Sequence, residues 1–223
     1  MAERTPLIFT PGYGLGYYIS REKPPWDTHW NGTYISASHN RVMDVFLQAG
    51  YEPHFYQPNW REPDPRTWAV DLATYATSLA QNKSVSLAGF SVGGAISLQT
   101  AELLEQSKIP VEGVIAASAS PFFGKKWLGR ARTNPTSGIP DMPISQQHVY
   151  NNLEIPRVTT TPVQLYVGTR ETNDAREFHE QLLFEYPQSV SIKPPCAHNI
   201  LDESYVEALR QNAGKLRSQQ QGS

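Results

Sequence analysis

The stretch SLAGFSVGGAISL, residues Ser86–Leu98, predicts a buried strand, a sharp turn and a helix in immediate succession. Its first residues are mostly apolar, as in a buried strand, and the residues after the turn are rich in glycine and apolar side chains. The turn itself, GFSVG (Gly89–Gly93), has the G-x-S-x-G pattern of a nucleophile elbow. A side chain two residues before or after the serine would collide with the neighbouring strand and helix. We therefore interpret Ser91 as a nucleophile held above the edge of a sheet.

Acid and base candidates follow this serine along the chain. A serine hydroxyl is a weak nucleophile unless a base removes its proton and an acid orients that base. Downstream of an elbow of this kind the acid comes first and the histidine second. Glu171 and Asp174 follow the predicted strand TPVQLYVG, and His198 follows the predicted strand SVSIKPP. The sequence predicts His198 as the base and leaves the acid open between the two carboxylates.

Strand-like and helix-like segments alternate along the whole chain. PLIFT, YEPHFYQ and VEGVIAASAS have the character of further strands. Apolar residues at helical spacing predict helices over Ser38–Ala49 and from Trp68 to Leu79, and further helices follow the later strands. This alternation predicts an α/β fold with a mainly parallel sheet and helices on both faces.

The length of 223 residues predicts one domain, which we place at residues 1–217. Between residues 121 and 161 the periodicity fades, and proline, glycine and polar residues dominate. A connection of this length is unusual, so we expect a short cap or lid insertion there. The polar tail, residues 218–223, is expected to be disordered.

Composition excludes several classes of partner. A net charge of −2 gives no general attraction for nucleic acid or an anionic membrane. No apolar run approaches the ~20 residues of a membrane span, and the first residues are too weakly apolar for a signal peptide. The single cysteine, Cys196, excludes an internal disulfide and fits a reducing compartment. We therefore expect a cytoplasmic protein. The six histidines are scattered and lack the set of paired His and Cys ligands that a structural zinc site needs, so no metal site is expected.

A glycine-rich loop, TPGYGLG (residues 10–16), follows the first predicted strand. Such a loop serves either a dinucleotide pyrophosphate or an anion that forms during a reaction. The dinucleotide pattern G-x-G-x-x-G fails here, because Tyr17 stands where its last glycine should be. Pro24 and Pro25 also disfavour the helix that should follow. The loop is therefore predicted to stabilise a transition-state anion.

Three motifs give the chain a likeness to a known superfamily. The elbow at Ser91, the acid turn GTRE (Gly168–Glu171) and the histidine loop CAHN (Cys196–Asn199) follow one another in the order found in α/β-hydrolases. From Pro6 to about Leu216 the sequence resembles a small serine esterase or thioesterase of that superfamily. These motifs are specific for the superfamily and not for one enzyme within it.

The resemblance implies roles for individual residues. The acid of the family lies three residues after the glycine that ends its strand, which is Glu171 here, although aspartate is commoner and Asp174 stays an alternative. The family takes its oxyanion-hole N–H groups from the residue after the nucleophile, Val92, and from the glycine-rich loop. In that loop the donor should be Tyr13, with Gly14 as the alternative. The chain also begins at the third strand of the family pattern, which implies a sheet of about six strands.

Aromatic residues gather around the inferred mouth of the site and predict a pocket for a hydrophobic or aromatic substrate. The predicted substrate-binding residues are Tyr17, Trp26, Trp30, Phe90, Phe122, Phe123 and Trp127. A basic run is a candidate surface for a phosphate-bearing thioester, although such runs are more often plain surface. Its cations are Lys125, Lys126, Arg130 and Arg132.

The predicted function is hydrolysis of a carboxylic ester or thioester of a small molecule through an acyl-enzyme on Ser91. No metal or organic cofactor is implied, and the oligomeric state is left open. One alternative is an acyltransferase or cyclising thioesterase that uses the same three residues with an acceptor other than water. The other is a ligand-binding protein on a hydrolase fold that has lost turnover.

Overall fold

The computed structural model describes most of the chain outside the loop after the first strand and the segment from 120 to 154. The described ranges are 4–12, 27–30, 33–35, 37–58, 65–81, 83–119, 155–171 and 173–216. At residues 27–30, 33–35, 37–39, 65 and 174 only the backbone is described. The predicted tail at 218–223 and residues 121–154 of the predicted cap lie outside these ranges.

Strands and helices alternate within the described ranges. The strands are β1 (Thr5–Thr10), β2 (Asp27–Trp30), β3 (Thr33–Ile35), β4 (Tyr51–Phe55), β5 (Val85–Phe90), β6 (Val111–Ala117), β7 (Val163–Tyr166) and β8 (Val190–Ile192). The helices are α1 (Ala37–Gln48), α2 (Pro65–Ala80), α3 (Val92–Gln106), α4 (Asn173–Glu185) and α5 (Glu203–Asn212). Six strands form one sheet in the order β4-β1-β5-β6-β7-β8, and every neighbouring pair is parallel. The predicted fold class is confirmed.

Two apolar clusters cover the two faces of this sheet. Successive strand residues point to opposite faces, so in β5 Leu87 lies in one cluster and Ala88 in the other. The first cluster joins the sheet to α2, α3 and α4, and the second joins it to α1 and α5. With both faces covered, a strand can be buried along its whole length, as β5 is, and can be mostly apolar.

The antiparallel hairpin of β2 and β3 is an element that the hydrophobic pattern does not predict. Asp27 pairs with Ile35, and Trp30 pairs with Thr33. The two residues between the strands are Asn31-Gly32, and Asn-Gly is the strongest short sequence indication of a two-residue hairpin. That dipeptide could have revealed the hairpin, although the flanking residues lack clear alternation.

A carboxylate at the end of α3 fixes the chain where it returns towards β7. Glu105 accepts the backbone N–H and the hydroxyl of each of the three threonines Thr159–Thr161, over distances of 2.7 to 3.1 Å. Partial burial raises the pKa of Glu105, but these hydrogen bonds outweigh it and lower the pKa to about 2. At the other end of α3, a Cβ on Gly94 would lie 3.1 Å from the Cβ of Ala119, just after β6. Ala119, just before the segment 120–154, therefore lies beside the start of α3, and Thr159–Thr161, just after that segment, lie at the end of α3.

The five helices of the described ranges are of moderate length, and the longest, α2, has 16 residues. None of them is both long and apolar enough to cross a membrane. Within the same ranges, no group of three or more His, Cys, Asp or Glu side chains is arranged to hold a metal ion.

The buried His179 of α4 makes stability sensitive to acid. Its Nε2 lies 2.9 Å from the Oγ of Ser191. Burial, with a smaller effect from the charge of Lys193, lowers its pKa from 6.5 to about 4. Between these values the unfolded chain binds a proton that the native state does not, so stability falls as the pH drops from 6.5 towards 4. Above pH 6.5 both states carry a neutral imidazole and the effect vanishes.

We expect His179→Gln to lose part of this acid sensitivity. The difference in unfolding free energy between pH 7.5 and pH 4.5 should shrink by about 2–3 kcal/mol. Urea unfolding at the two pH values measures it, and the pH dependence between 7.5 and 9 serves as the internal control. An unchanged difference would mean that His179 does not carry the effect.

Candidate active site

Ser91 occupies the predicted sharp turn between β5 and α3. Its backbone has φ 56° and ψ −120°, a positive φ that a non-glycine residue rarely adopts. The Ser91 N–H donates to the carbonyl of Ala117 at 2.8 Å, and its own carbonyl accepts the N–H of Gly94 at 3.0 Å. Strain of this kind persists only where the surrounding structure enforces it. The turn therefore holds Ser91 at the carboxyl edge of the sheet, directly before the first residue of α3.

The two glycines of the elbow have no room for a side chain. A Cβ on Gly93 would overlap the carbonyl oxygen of Thr10 and would lie 2.5 Å from that of Pro11. A Cβ on Gly89 would overlap the carbonyl of Gly93 and would lie 2.6 Å from the nitrogen of Gly94. The predicted steric reason for glycine at both positions is thus visible in the packing of β1 and α3 around the turn.

A carboxylate and a histidine meet at the same edge of the sheet. The Oε2 of Glu171 lies 2.9 Å from the Nδ1 of His198. The Glu171 side chain is completely buried, whereas that of His198 is 34% exposed. The imidazole is therefore held from the inside by a carboxylate while part of its surface faces solvent.

Backbone hydrogen bonds explain why these two residues meet. The N–H of Thr169 donates to the carbonyl of Pro194, and the N–H of Arg170 donates to that of Cys196, both at 2.9 Å. Gly168 packs so closely on the Cys196 carbonyl that a Cβ would overlap it. The acid turn after β7 and the histidine loop after β8 are thereby fastened together.

Solved structures with the same arrangement of strands and helices share one fold. MGS-MChE2, an alpha/beta hydrolase enzyme from the metagenome of lagoon sediments of Mar Chica, Morocco, matches with a TM-score of 0.69. The match covers 99% of this chain and 93% of that one at 16% sequence identity. This chain has the α/β-hydrolase fold. The resemblance inferred from its motifs is confirmed at that level.

Two further α/β-hydrolase-fold structures are similar over almost their whole length. Est1E from Butyrivibrio proteoclasticus has a TM-score of 0.66 and 15% identity, with 97% of this chain and 89% of that one covered. Human thioesterase 2 has a TM-score of 0.63 and 13% identity, with 99% of both chains covered. At the level of sequence, no protein-family model and no curated protein matches this chain.

The glycine-rich loop of this α/β-hydrolase-fold protein starts beside the elbow. A Cβ on Gly12 would lie 3.2 Å from the Cβ of Ser91 and 3.3 Å from a ring carbon of Phe90. Val92, the other predicted oxyanion residue, is the first residue of α3, so its N–H has no acceptor within the helix. The predicted loop donors, Tyr13 and Gly14, lie outside the described residues.

Phe90 packs against the candidate base. Its ring centroid lies 4.8 Å from that of His198 and 6.1 Å from that of Tyr205, against which its plane is nearly perpendicular. Phe90 is only 5% exposed and belongs to the second apolar cluster. Its role in substrate binding stays a prediction.

Two candidate functional residues, Ser118 and Tyr205, were not predicted from the sequence. Ser118, directly after β6, donates its hydroxyl to the Oε1 of Glu171 and lies 3.1 Å from the hydroxyl of Tyr205 in α5. A serine at the carboxyl end of a central strand is a usable indication, since the sites of such sheets form at that edge. Tyr205 carries no such indication, because its place in an apolar helical stripe predicts only packing.

Most of the other predicted site residues lie outside the described structure. Glu171 is the carboxylate in contact with His198, while only the backbone of the alternative acid Asp174 is described, at the start of α4. Of the aromatic set, Phe90 is described in full and Trp30 by its backbone in β2. The aromatic residues of this set that lie outside the described residues are Tyr17, Trp26, Phe122, Phe123 and Trp127. The cations of the basic run, Lys125, Lys126, Arg130 and Arg132, lie outside them too.

Proposed function

We propose that this protein is a serine hydrolase that cleaves a carboxylic ester or thioester of a small molecule. The observation that carries the proposal is the 2.9 Å contact between buried Glu171 and Nδ1 of His198, beside the strained turn at Ser91. An acid, a base and a nucleophile of these types at one sheet edge are the parts of an acyl-transfer site.

His198 acts as the general base in this mechanism. A proton on Nδ1 that is donated to the Glu171 carboxylate leaves the lone pair of Nε2 free. Nε2 takes the proton of Ser91 as its Oγ attacks the carbonyl carbon, and then delivers it to the departing alcohol or thiol. Water, activated by the same imidazole, cleaves the acyl-enzyme and regenerates the Ser91 hydroxyl.

The oxyanion of the tetrahedral intermediate is held by backbone N–H groups. Val92 is proposed as one donor, because the N–H of the first residue of a helix has no acceptor within the helix. Tyr13 is proposed as the second, since the loop that contains it starts at Gly12 beside Ser91. Removing one such donor typically costs about 10²–10³-fold in rate.

The names of the similar structures support this substrate class. They include an esterase from Pyrobaculum calidifontis and human thioesterase 2, both similar over 99% of this chain. Esters and thioesters share an electrophilic carbonyl and a leaving group that one protonated imidazole can serve. The proposed substrate is accordingly an acyl ester or acyl thioester.

A fluorophosphonate probe tests the nucleophile directly. We expect covalent labelling of the pure protein at Ser91, located by peptide mass, together with hydrolysis of short aryl esters or acyl thioesters. Ser91→Ala should abolish labelling and His198→Ala should slow it by at least ~10³-fold. Ser97→Ala, which removes a buried serine hydroxyl from α3, should label like the wild type.

A folded protein that the probe does not label would overturn the proposal. Labelling that persists in His198→Ala would show that His198 is not the general base. An isotopically labelled acyl donor then identifies the acceptor, because hydrolysis releases the free acid whereas acyl transfer deposits the label on an alcohol or amine.

A further inference from the structure

Both oxygens of the Glu171 carboxylate are engaged. Oε2 faces Nδ1 of His198 at 2.9 Å, and Oε1 accepts the hydroxyl of Ser118. The side chain is fully buried, so these donors replace the water that would otherwise solvate the charge. Neither oxygen can turn away without losing a hydrogen bond.

The number of available protons determines which group donates each hydrogen bond among Tyr205, Ser118 and Glu171. An ionised carboxylate only accepts hydrogen bonds, and a serine hydroxyl has a single proton to donate. The Ser118 proton therefore points to Glu171, and the 3.1 Å contact between Ser118 and Tyr205 requires the tyrosine hydroxyl as donor. Tyr205 thus donates a hydrogen bond to Ser118, and Ser118 donates one to Glu171.

Backbone and ring contacts fix the positions of Ser118 and Tyr205. Ser118 has a positive φ of 42°, and its N–H donates to the carbonyl of Tyr166 at 2.7 Å. Tyr205 is fully buried and its ring stacks on that of Tyr166, with centroids 6.0 Å apart. A strained backbone that persists in a buried, hydrogen-bonded place is typical of a residue under functional constraint.

The buried surroundings of Tyr205 keep its hydroxyl protonated, so that it can donate a hydrogen bond. Burial raises the pKa of its hydroxyl well above the usual range, with the hydrogen bond to Ser118 acting in the opposite direction. The thiol of Cys196 also lies near Glu171, and burial raises the pKa of that thiol too. Arg170, whose charge is felt at Cys196, donates its guanidinium to the carbonyl of Pro195.

We propose that Ser118 and Tyr205 are positioning residues, which hold the Glu171 carboxylate with Oε2 aimed at His198. The inference rests on the proposed function, in which Glu171 orients the base. Neither residue is assigned a contact with substrate. Their effect is exerted through the orientation of one carboxylate.

The test compares hydroxyl deletions. Ser118→Ala should slow the fluorophosphonate reaction at pH 7 by about 10-fold or more, because it removes a hydrogen bond to a charged group. The loss should fall on the acylation rate constant and not on the affinity for the probe, because it acts through the orientation of one carboxylate. Tyr205→Phe should slow the reaction in the same direction by less.

Two further variants separate positioning from packing. Ser118→Gly lacks the hydroxyl but relieves the positive φ, so it should match Ser118→Ala in acylation rate even if the two differ in stability. Tyr166→Phe removes a hydroxyl from the same buried stack, where that hydroxyl donates to Gln164 instead. The Tyr166→Phe protein should be acylated at the wild-type rate.

A second measurement does not depend on activity. The proton NMR signal of the His198 Nδ1–H, identified by its loss in His198→Ala, should move or broaden in Ser118→Ala and Tyr205→Phe and stay in place in Tyr166→Phe. An unreactive wild type would contradict the proposed function, and this signal would still decide the positioning role. Variants with both the wild-type acylation rate and the wild-type signal would overturn the inference.

Discussion

Glu171→Gln is expected to reduce the acylation rate by about 10³–10⁴-fold while the fold is kept. The amide of glutamine has the size of the carboxylate but donates through its nitrogen. At 2.9 Å from Nδ1 of His198, such a donor favours the imidazole tautomer with its proton on Nε2. That tautomer has no lone pair facing the serine, so the base is lost. Stopped-flow labelling by a fluorophosphonate measures the rate.

Glu112→Gln is the matched control for this change. Glu112 is a partly buried carboxylate near the start of β6, at the opposite edge of the sheet, where it accepts hydroxyls from Thr5 and Ser86. The Glu112→Gln protein should be acylated at the wild-type rate. If Glu171→Gln reacted within about 10-fold of the wild type, Glu171 would not be the acid and Asp174 would become the candidate.

Gly93→Ala should destabilise the protein by about 3 kcal/mol or more, or prevent folding. Its new methyl group would overlap the carbonyl oxygen of Thr10 and press on that of Pro11. Both atoms belong to the backbone where β1 ends, so no side chain can rotate to make room. Relief requires β1 and α3 to separate at the point where Ser91 is held. Urea unfolding and the yield of soluble protein measure the effect.

Gly214→Ala provides the comparison, because a Cβ there meets nothing within 4 Å. Its stability should equal that of the wild type or exceed it by up to about 1 kcal/mol, since alanine restricts the unfolded chain. A Gly93→Ala protein as stable as Gly214→Ala would show that the elbow tolerates a side chain. The steric account of the G-x-S-x-G pattern in this chain would then be wrong.

Local patterns were sufficient to predict the sheet and the elbow. The strand, turn and helix around Ser91 are specified by residues adjacent in sequence, so apolar content and two glycines predicted them. The apolar run Pro6–Thr10 likewise lies within β1. The order of the six strands follows from long-range pairing, and the sequence predicted only that the sheet would be mainly parallel.

Contacts between distant segments were beyond such patterns. Glu171 and Asp174 both follow β7. The spacing in the family pattern favoured Glu171, but the residues alone do not show which of the two turns inward. The hydrogen bonds of Thr169 and Arg170 to the histidine loop bring Glu171 to His198. Ser118 meets Glu171 across 53 positions of the chain, a proximity that exists only after β6 and β7 have paired.

The contacts of α3 have a consequence for how such a protein could diversify. Ala119 packs beside the first turn of this helix, and Thr159–Thr161 are bound by Glu105 in its last turn. A 15-residue helix of roughly 22 Å thus holds both junctions of the intervening sequence. Both junctions are held by contacts within the described framework. We therefore expect that framework, with the turn that presents Ser91, to fold with a different sequence between residues 120 and 154.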